Sequence, residues 1–511
     1  MSIPSLPIPA WLKPENGPVG RGLGAFLDNA PAGVSGRVVL MWFVILYTAF
    51  AIVTSGALGV DPESLQSFVL GLHPAAGYPG YEPLAPWLMG AWFRVFPRVD
   101  WAFHLLATLN AGIGLFFAHR IARLFLDGDK AIAALLLLLL TPLYTIMGQS
   151  LDPAATMLAT WPAATFCFLR AFATRDLMWS ALAGVTAALA VLGDYHSLLL
   201  VAGFALAVLA DPRRASWLWS AAPWLALAVT ALALAPHAVW LWGELQRMGF
   251  AALGSGSPPG PIWSGLPVMG LSWTVVGAWS AAILLVVCLL AVGGRGVRDA
   301  VNEPDGRLLL VILAVPLVLP FLAAPFVGAG VLRAWPAAAP WFLVPVILFR
   351  PAAAILTRTA AIRIAALVAA TTLVTLASAP WLAWHPGETQ GREFYQRVAA
   401  ETTKAWRLAT GQPLRAVTGD PALAAAVAFY SPDRPEPETA PAGDYVAICP
   451  AADDACTGPA RQRVAGNTGV QINTYSALSP YPGKTDRLGR FLLVLVPRPG
   501  SRLINVPDAP R

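Results

Sequence analysis

Long apolar runs separated by short polar loops occupy most of the chain. A bilayer crossing takes roughly 20 apolar residues as a helix. Eleven runs qualify as candidates, centred near Leu46, Gly112, Leu138, Thr160, Ala187, Leu200, Val229, Ala282, Ala314, Leu343 and Ala370. Those at Leu138, Ala187 and Leu200 are short. Several contain Pro or Gly, which membrane helices tolerate because neighbouring helices take up the freed backbone groups. The pattern predicts an α-helical polytopic membrane domain over residues 38–384.

After about residue 385 the period changes. A helical stretch, EFYQRVAAETTKAWRLAT, precedes a strand-like PLRAVT, a helical PALAAAVAFY, and the strand-like YVAI and RFLLVLV. Helical and strand periods in alternation predict a small α/β domain over residues 385–511. SPDRPEPETAPAG is a Pro-rich loop inside it. Residues 1–37 form a Pro/Gly-rich leader. The first apolar run lies too far from the terminus for a cleaved signal, so it reads as a retained anchor.

Composition agrees with the pattern. The chain is 57% hydrophobic and 12% charged, against about 25% charged in soluble proteins. The net charge of +6 is spread over short loops, which argues against nucleic acid. With the N-terminus inside, sixteen Lys and Arg residues fall in inner segments and only Arg94, Arg98, Arg247 and Arg333 in outer loops. That bias fixes the orientation. It puts the leader in the cytosol and DPESLQSFVLGLHPAAGYPGYEPLAPWL (61–88) outside, along with everything after about residue 385.

Ionisable residues at a membrane are costly unless paired or hydrated, so each is a functional candidate. They gather in the outer loops: Asp61, Glu63, His73 and Glu82 in the first, Asp152 in the second, and Asp194, Tyr195 and His196 in the third. His237 and Glu244 flank the fourth, and Arg333 lies in the fifth. Each also has a structural reading. Asp61-Pro62 and Asp152-Pro153 both have the form of a helix cap followed by Pro at the first helical position. The histidines fit as interfacial residues, and Arg333 beside Trp335 as an interface anchor. No His or acid spacing supports a metal site. Cys167 and Cys288 fall in apolar runs. Cys449 and Cys456, in CPAADDAC, read either as a small-loop disulfide in an oxidising compartment or as two thiols. The segment ELQRMGFAALGSGSPPGPIW (244–263) reads as a lid or a passive linker.

The order of these elements resembles the polytopic C-type glycosyltransferases, the class of protein O-mannosyltransferases and of lipid A aminoarabinose and galacturonic acid transferases, closest to family 39. Asp61-Pro62-Glu63 stands where that class carries an acidic motif at the start of a surface-lying helix. YEPLAPWLMGAWFRVFP is similar to its Pro-Pro-Leu-x-x-Trp-Leu element, with Glu82 where His or Pro is common. LDPAATML matches a Pro-Asp-Ala element with Asp and Pro exchanged. DYHSLLL matches a Lys-Tyr-Ser element, with Asp194 in place of lysine. PHAVWLW and LRAWPAAAPWFLVP resemble its Pro-His and Arg-Trp elements. The likeness runs over nearly the whole chain.

The resemblance implies transfer of a hexose or pentose from a polyprenyl-phosphate donor to an envelope acceptor (lipid, polysaccharide or protein). Transfer would take place on the outer face of a bacterial inner membrane, by a single inverting displacement. The catalytic pair is expected to be Asp61, as the base, and Glu63, which orients the site or binds acceptor. Arg333, His196 and Tyr195 are expected at the donor phosphate, and Glu82, Asp152, His73 and His237 at acceptor or sugar. The sequence requires no cofactor, and a divalent metal stays open without support from it. The expected partners are the lipid-linked donor, the acceptor and the bilayer. Two alternatives stay open: a transporter or flippase of lipid-linked sugars, and a scaffold of the same fold made inactive by Asp194 where lysine is usual.

Overall fold

The computed structural model describes residues 35–55, 59–248, 279–292, 303–327, 339–351, 354–384, 395–438, 443–451, 453–462, 471–478 and 487–496. Arg333 and most of the 244–263 segment lie outside the described residues. The membrane part is a helix bundle: α1 Gly36–Ser55, α2 Pro62–Leu72, α3 Leu84–Val95, α4 Asp100–Phe125, α5 Gly128–Leu138, α6 Met157–Thr174, α7 Leu177–Gly193, α8 Ser197–Ala210, α9 Ala222–Met248, α10 Trp279–Val292, α11 Pro304–Val327, α12 Val344–Phe349 and α13 Arg358–Trp384. Each of the eleven centres expected from the hydrophobic pattern lies in a helical segment.

Among the described residues, four helices are long and apolar enough to cross a membrane: α1, α4, α9 and α13. A bent pair, Gly128–Leu138 with Pro142–Gln149, makes a fifth if counted as one span. α7 and α8 are shorter apolar helices, because the polar turn Asp194–His196 separates them. α1 shows why these helices suit lipid. Phe43, Tyr47 and Phe50 point into the protein, while Trp42, Ile45 and Val53 are exposed on its far side. Apolar residues on both sides of a helix have no use against water but fit a helix between protein and acyl chains. α9 presents Trp224, Leu227, Leu232 and Val239 outward in the same way.

α2 and α3 lie after α1 at one end of the bundle and cross at Gly71 and Gly90. A Cβ on Gly90 would lie 2.1 Å from the Gly71 carbonyl oxygen, and one on Gly71 would lie 2.2 Å from Pro86 O. Backbone meets backbone there, so no side chain can move to make room. Gly90→Val is expected to destabilise the protein by about 3 kcal/mol, the upper range for overpacking. Thermal unfolding in detergent checks this.

At the opposite end, Arg213 donates to Asp211 at 2.8 Å and to Asp305 at 2.7 Å, and Arg350 bonds Asp305 at 2.9 Å and also Glu303. This network ties the end of α8 to the starts of α11 and the end of α12. Asp211 is largely buried, which alone would raise its pKa. The guanidinium of Arg213 outweighs that and holds it below the usual carboxylate range.

The tail forms the expected α/β unit: α14 Tyr395–Thr410, β1 Ala416–Gly419, α15 Pro421–Tyr430, β2 Glu436–Pro437, β3 Tyr445–Pro450, α16 Asp454–Gln462, β4 Gln471–Leu478 and β5 Arg487–Val496. The sheet order is β2-β1-β3-β5-β4. β2, β1 and β3 run parallel, and β5 pairs antiparallel with β3 and β4. Trp406, Val417, Ile448 and Leu493 fill the core between α14 and the sheet. α15 starts at an Asp420 cap, which accepts from Leu423 N at 2.9 Å, followed by Pro421 at the first position. Cys449 and Cys456 are joined as a disulfide, with their Cα atoms 5.7 Å apart.

Candidate active site at the α2 end of the bundle

Asp61 caps α2. Its Oδ1 accepts from Ser64 N at 2.8 Å, with Pro62 at the first helical position. The cap reading of Asp61 is therefore correct as far as it goes. Ser64 does more than receive the cap. Its hydroxyl accepts from Leu151 N at 3.0 Å, across 87 residues of sequence. That bond seats the second loop against the start of α2 and brings Asp152 beside Asp61 and Glu63.

Asp152 is also a cap, accepting from Ala155 N at 2.7 Å. It is buried, at 6% exposure. Burial raises its pKa most. The Ala155 bond opposes the rise, and the charges of Asp61 and Glu63 and a hydrogen bond to the Glu63 carboxyl add to it, bringing the value to about 7. Burial and the two neighbouring charges thus favour the protonated form of Asp152. Tyr81 covers the cluster. Its hydroxyl donates to the Glu63 carbonyl at 2.9 Å and pairs with the Ser67 hydroxyl at 2.8 Å. Burial pushes the phenol pKa up strongly, and Asp152, Glu63 and Asp61 push it further. Tyr81 therefore stays protonated at neutral pH.

A second polar group adjoins the first through Glu82, the residue after Tyr81. Glu82 lies within electrostatic reach of Tyr195, whose pKa is raised by burial first, then by Glu82 and Asp194. Tyr195 OH lies 2.9 Å from His237 Nε2, and His237 Nδ1 lies 2.8 Å from Ala76 O. A carbonyl only accepts, so Nδ1 carries the proton. In the neutral ring Nε2 then accepts from Tyr195. His237 also stacks on Trp240, which packs over Gly77. Together His237 and Trp240 hold the 73–82 loop onto α9.

In the third loop Asp194 is fully buried. Its Oδ1 accepts from His196 N at 2.8 Å and lies 2.7 Å from His196 Nδ1. Thr156 packs against Gly193, setting this loop beside the second. Asp61, Glu63 and Asp152 thus form one polar group, and Glu82 and Tyr195 a second joined to it through the Tyr81–Glu82 backbone, with His237 bonded to Tyr195 and Asp194–His196 beside it. His73 stands apart: it is exposed at the end of α2, and its carbonyl accepts from Tyr78 OH at 3.3 Å. Ser64 and Tyr81 were not singled out from sequence. Their signal was present in DPES and GYEP, but their partners are distant in the chain. Among the described residues no cluster of three or more His, Cys, Asp or Glu could hold a metal ion.

The helix bundle with its small mixed sheet in the tail has the fold of the polytopic C-type glycosyltransferases. Residues 73–240, less than half of the chain, match the family model described as dolichyl-phosphate-mannose-protein mannosyltransferase. Among solved structures, ArnT from Cupriavidus metallidurans bound to undecaprenyl phosphate aligns with a TM-score of 0.51 at 14% identity, covering 91% of this chain and 98% of that one. The apo form of ArnT aligns at 0.47 and 13% identity, over 90% and 98% of the two chains. Archaeal AglB from Archaeoglobus fulgidus, an oligosaccharyltransferase in complex with an inhibitory peptide and a dolichol-phosphate, aligns at 0.34 and 13% identity, over 78% and 64%. No curated protein sequence matches the chain significantly.

Proposed function

We propose that the protein transfers a sugar from a polyprenyl-phosphate donor to a hydroxyl-bearing envelope acceptor at the outer face of the inner membrane. The observation that carries this reading is the convergence of Asp61, Glu63 and Asp152, with Asp152 raised to about 7. A base works best when its pKa lies near the working pH. In the proposed step the acceptor oxygen bonds to the anomeric carbon while the bond from that carbon to the carrier phosphate breaks. The configuration inverts. The acceptor proton passes to Asp61, which is half-buried at a fixed helix start and is the acid best placed to meet a bulky acceptor. Asp152 lies behind it and shares that proton through Glu63. The carrier leaves as a lipid phosphate, whose charge needs a cation. Arg333 fills that role on its chemistry, since a guanidinium grips phosphate in two places. Tyr195 and His196 supply further polar groups for that phosphate in this reading. Glu82 orients the sugar. His237 acts on the site by holding the loop that carries Glu82.

The Lys/Arg bias supports placing this end outside. The Cys449–Cys456 disulfide in the tail suits an oxidising compartment. ArnT, which shares the fold, has been seen with undecaprenyl phosphate, supporting a lipid-linked donor of that kind.

The purified chain in detergent, given a polyprenyl-phosphate sugar and an envelope lipid extract, is expected to release free polyprenyl phosphate and label a component of the extract. A flippase would leave the donor intact in detergent, where there is no second side to deliver it to. Mass spectrometry of envelope glycolipids with and without the gene would then identify the acceptor.

A further inference from the structure

The tail packs on the α2 end of the bundle, and one of its side chains bonds the backbone just before Asp61. Val60, buried at 2% exposure, directly precedes Asp61, and its amide donates to the Tyr430 hydroxyl at 2.9 Å. Tyr430 is the last residue of α15. Its hydroxyl donates in turn to Asp100 Oδ1, and the other Asp100 oxygen accepts from Gln396 Nε2 at 2.7 Å. A phenol has one proton to give. With Asp100 taking it, an oxygen lone pair is left for Val60, so the two roles are fixed.

The surroundings hold this arrangement in place. Phe429 meets Phe68 of α2 edge-on at 5.0 Å and Phe93 of α3 at 5.3 Å. Arg98 lies 5.1 Å over the Phe68 ring and donates to Ala428 O at 3.3 Å. Leu65, Phe68, Met89, Phe103, Ala426 and Phe429 form one buried cluster. α15 is therefore seated on the helix that begins with Asp61. Burial could hold α2 against the bundle without any polar contact. The Tyr430 hydroxyl instead fixes the backbone one residue before the carboxylate.

We infer that Tyr430, from the tail, is a positioning residue for Asp61: its hydroxyl sets the entry of the chain into α2, and with it the direction of the Asp61 carboxylate. The kinetic part rests on the function proposed above. The structural part does not. An error of about 1 Å in a reacting group can cost up to about a hundredfold in rate, so a loosened entry acts on turnover more than on donor binding.

The test uses the full chain in detergent with Tyr430→Phe, which keeps the ring and its packing and removes only the hydroxyl. Hydrogen exchange over residues 59–64 is expected to rise at least about fivefold, since the Val60 amide loses its partner. kcat is expected to fall about tenfold, with the donor KM changed by less than about twofold. Asp100→Asn, whose amide oxygen still accepts from Tyr430, is expected to keep most of the activity, while Asp100→Leu should behave like Tyr430→Phe. Unchanged exchange over 59–64 in Tyr430→Phe would overturn the inference. So would raised exchange with unchanged kcat. A wild-type chain that transfers no sugar would contradict the proposed function instead, and the exchange result would still decide whether Tyr430 holds the entry to α2.

Discussion

Asp61→Asn is expected to lower sugar transfer by about a thousandfold, in the middle of the range for loss of a general base, with little change in protein level or thermal stability. Asparagine makes this a test of chemistry rather than folding. It caps a helix about as well as aspartate, so the bond to Ser64 N survives and α2 still starts where it should. What is lost is the ability to take a proton. Alanine at the same position would remove cap and base together and could not separate them. The checks are the rate of free carrier release by purified protein and the melting temperature of both forms in the same detergent. A variant that melts normally and still transfers at more than about a tenth of the wild-type rate would remove Asp61 from the role of base.

Asp152→Asn is expected to have the second-largest effect, and its signature is in pH. Burial and the neighbouring acids raise Asp152 to about 7. Below that value the cluster holds its extra proton and is a poor base, so wild-type activity should rise with pH through about 7 and then level off. Without Asp152 that limb should move to lower pH, and the plateau rate should fall by about a hundredfold as the proton-sharing partner is lost. Stability carries a sign of its own. The folded-state pKa lies above the ordinary carboxylate value of 3.8, so the folded form binds the proton more tightly than the unfolded chain. Stability is then greatest below about pH 4 and falls as pH rises to about 7, by on the order of 4 kcal/mol in total. Asparagine cannot ionise and removes that loss. At pH 8 the variant should melt above the wild type, while at pH 5 the gap should narrow. A loss of activity with equal melting curves at both pH values would contradict the burial of an acidic Asp152.

Much of this arrangement was legible along the chain. Each of the eleven apolar runs falls on a helical segment, though the short α2 and α3 carry no such run, and the change of period near residue 385 marks the α/β tail. Asp61-Pro62 was readable as a cap because capping is local: donor and acceptor lie three residues apart. Asp152-Pro153 was readable as a cap in the same way, and the bond from Ala155 N bears that out. What the local form did not carry is its buried place beside Asp61 and Glu63. No period or spacing encodes the Ser64–Leu151 bond that brings them together, because Ser64 lies in α2 and Leu151 in a loop 87 residues on. The same holds for Tyr430, which is 370 residues from Val60. Its sequence context, AAAVAFY, shows only an apolar helix end. His237 was legible as a polar residue in an apolar run, but its partner, a backbone carbonyl at Ala76, could not be read from side-chain chemistry. Asp194 was noticed as a departure from the usual lysine. Its pairing with His196 within two residues gives the exchange a local logic: the acid holds the imidazole in place instead of reaching for phosphate itself.

The fate of the bond between sugar and carrier decides the central claim most directly. Purified full-length protein in detergent would be mixed with a polyprenyl-phosphate sugar of known anomeric configuration and an envelope extract, and the lipid and glycan products followed by mass spectrometry and NMR. The expected result is free polyprenyl phosphate together with a glycosylated acceptor of opposite anomeric configuration, both lost in Asp61→Asn. Donor that stays whole in every extract, or product formed equally well by the Asp61→Asn form, would contradict a carboxylate-driven sugar transfer at this site.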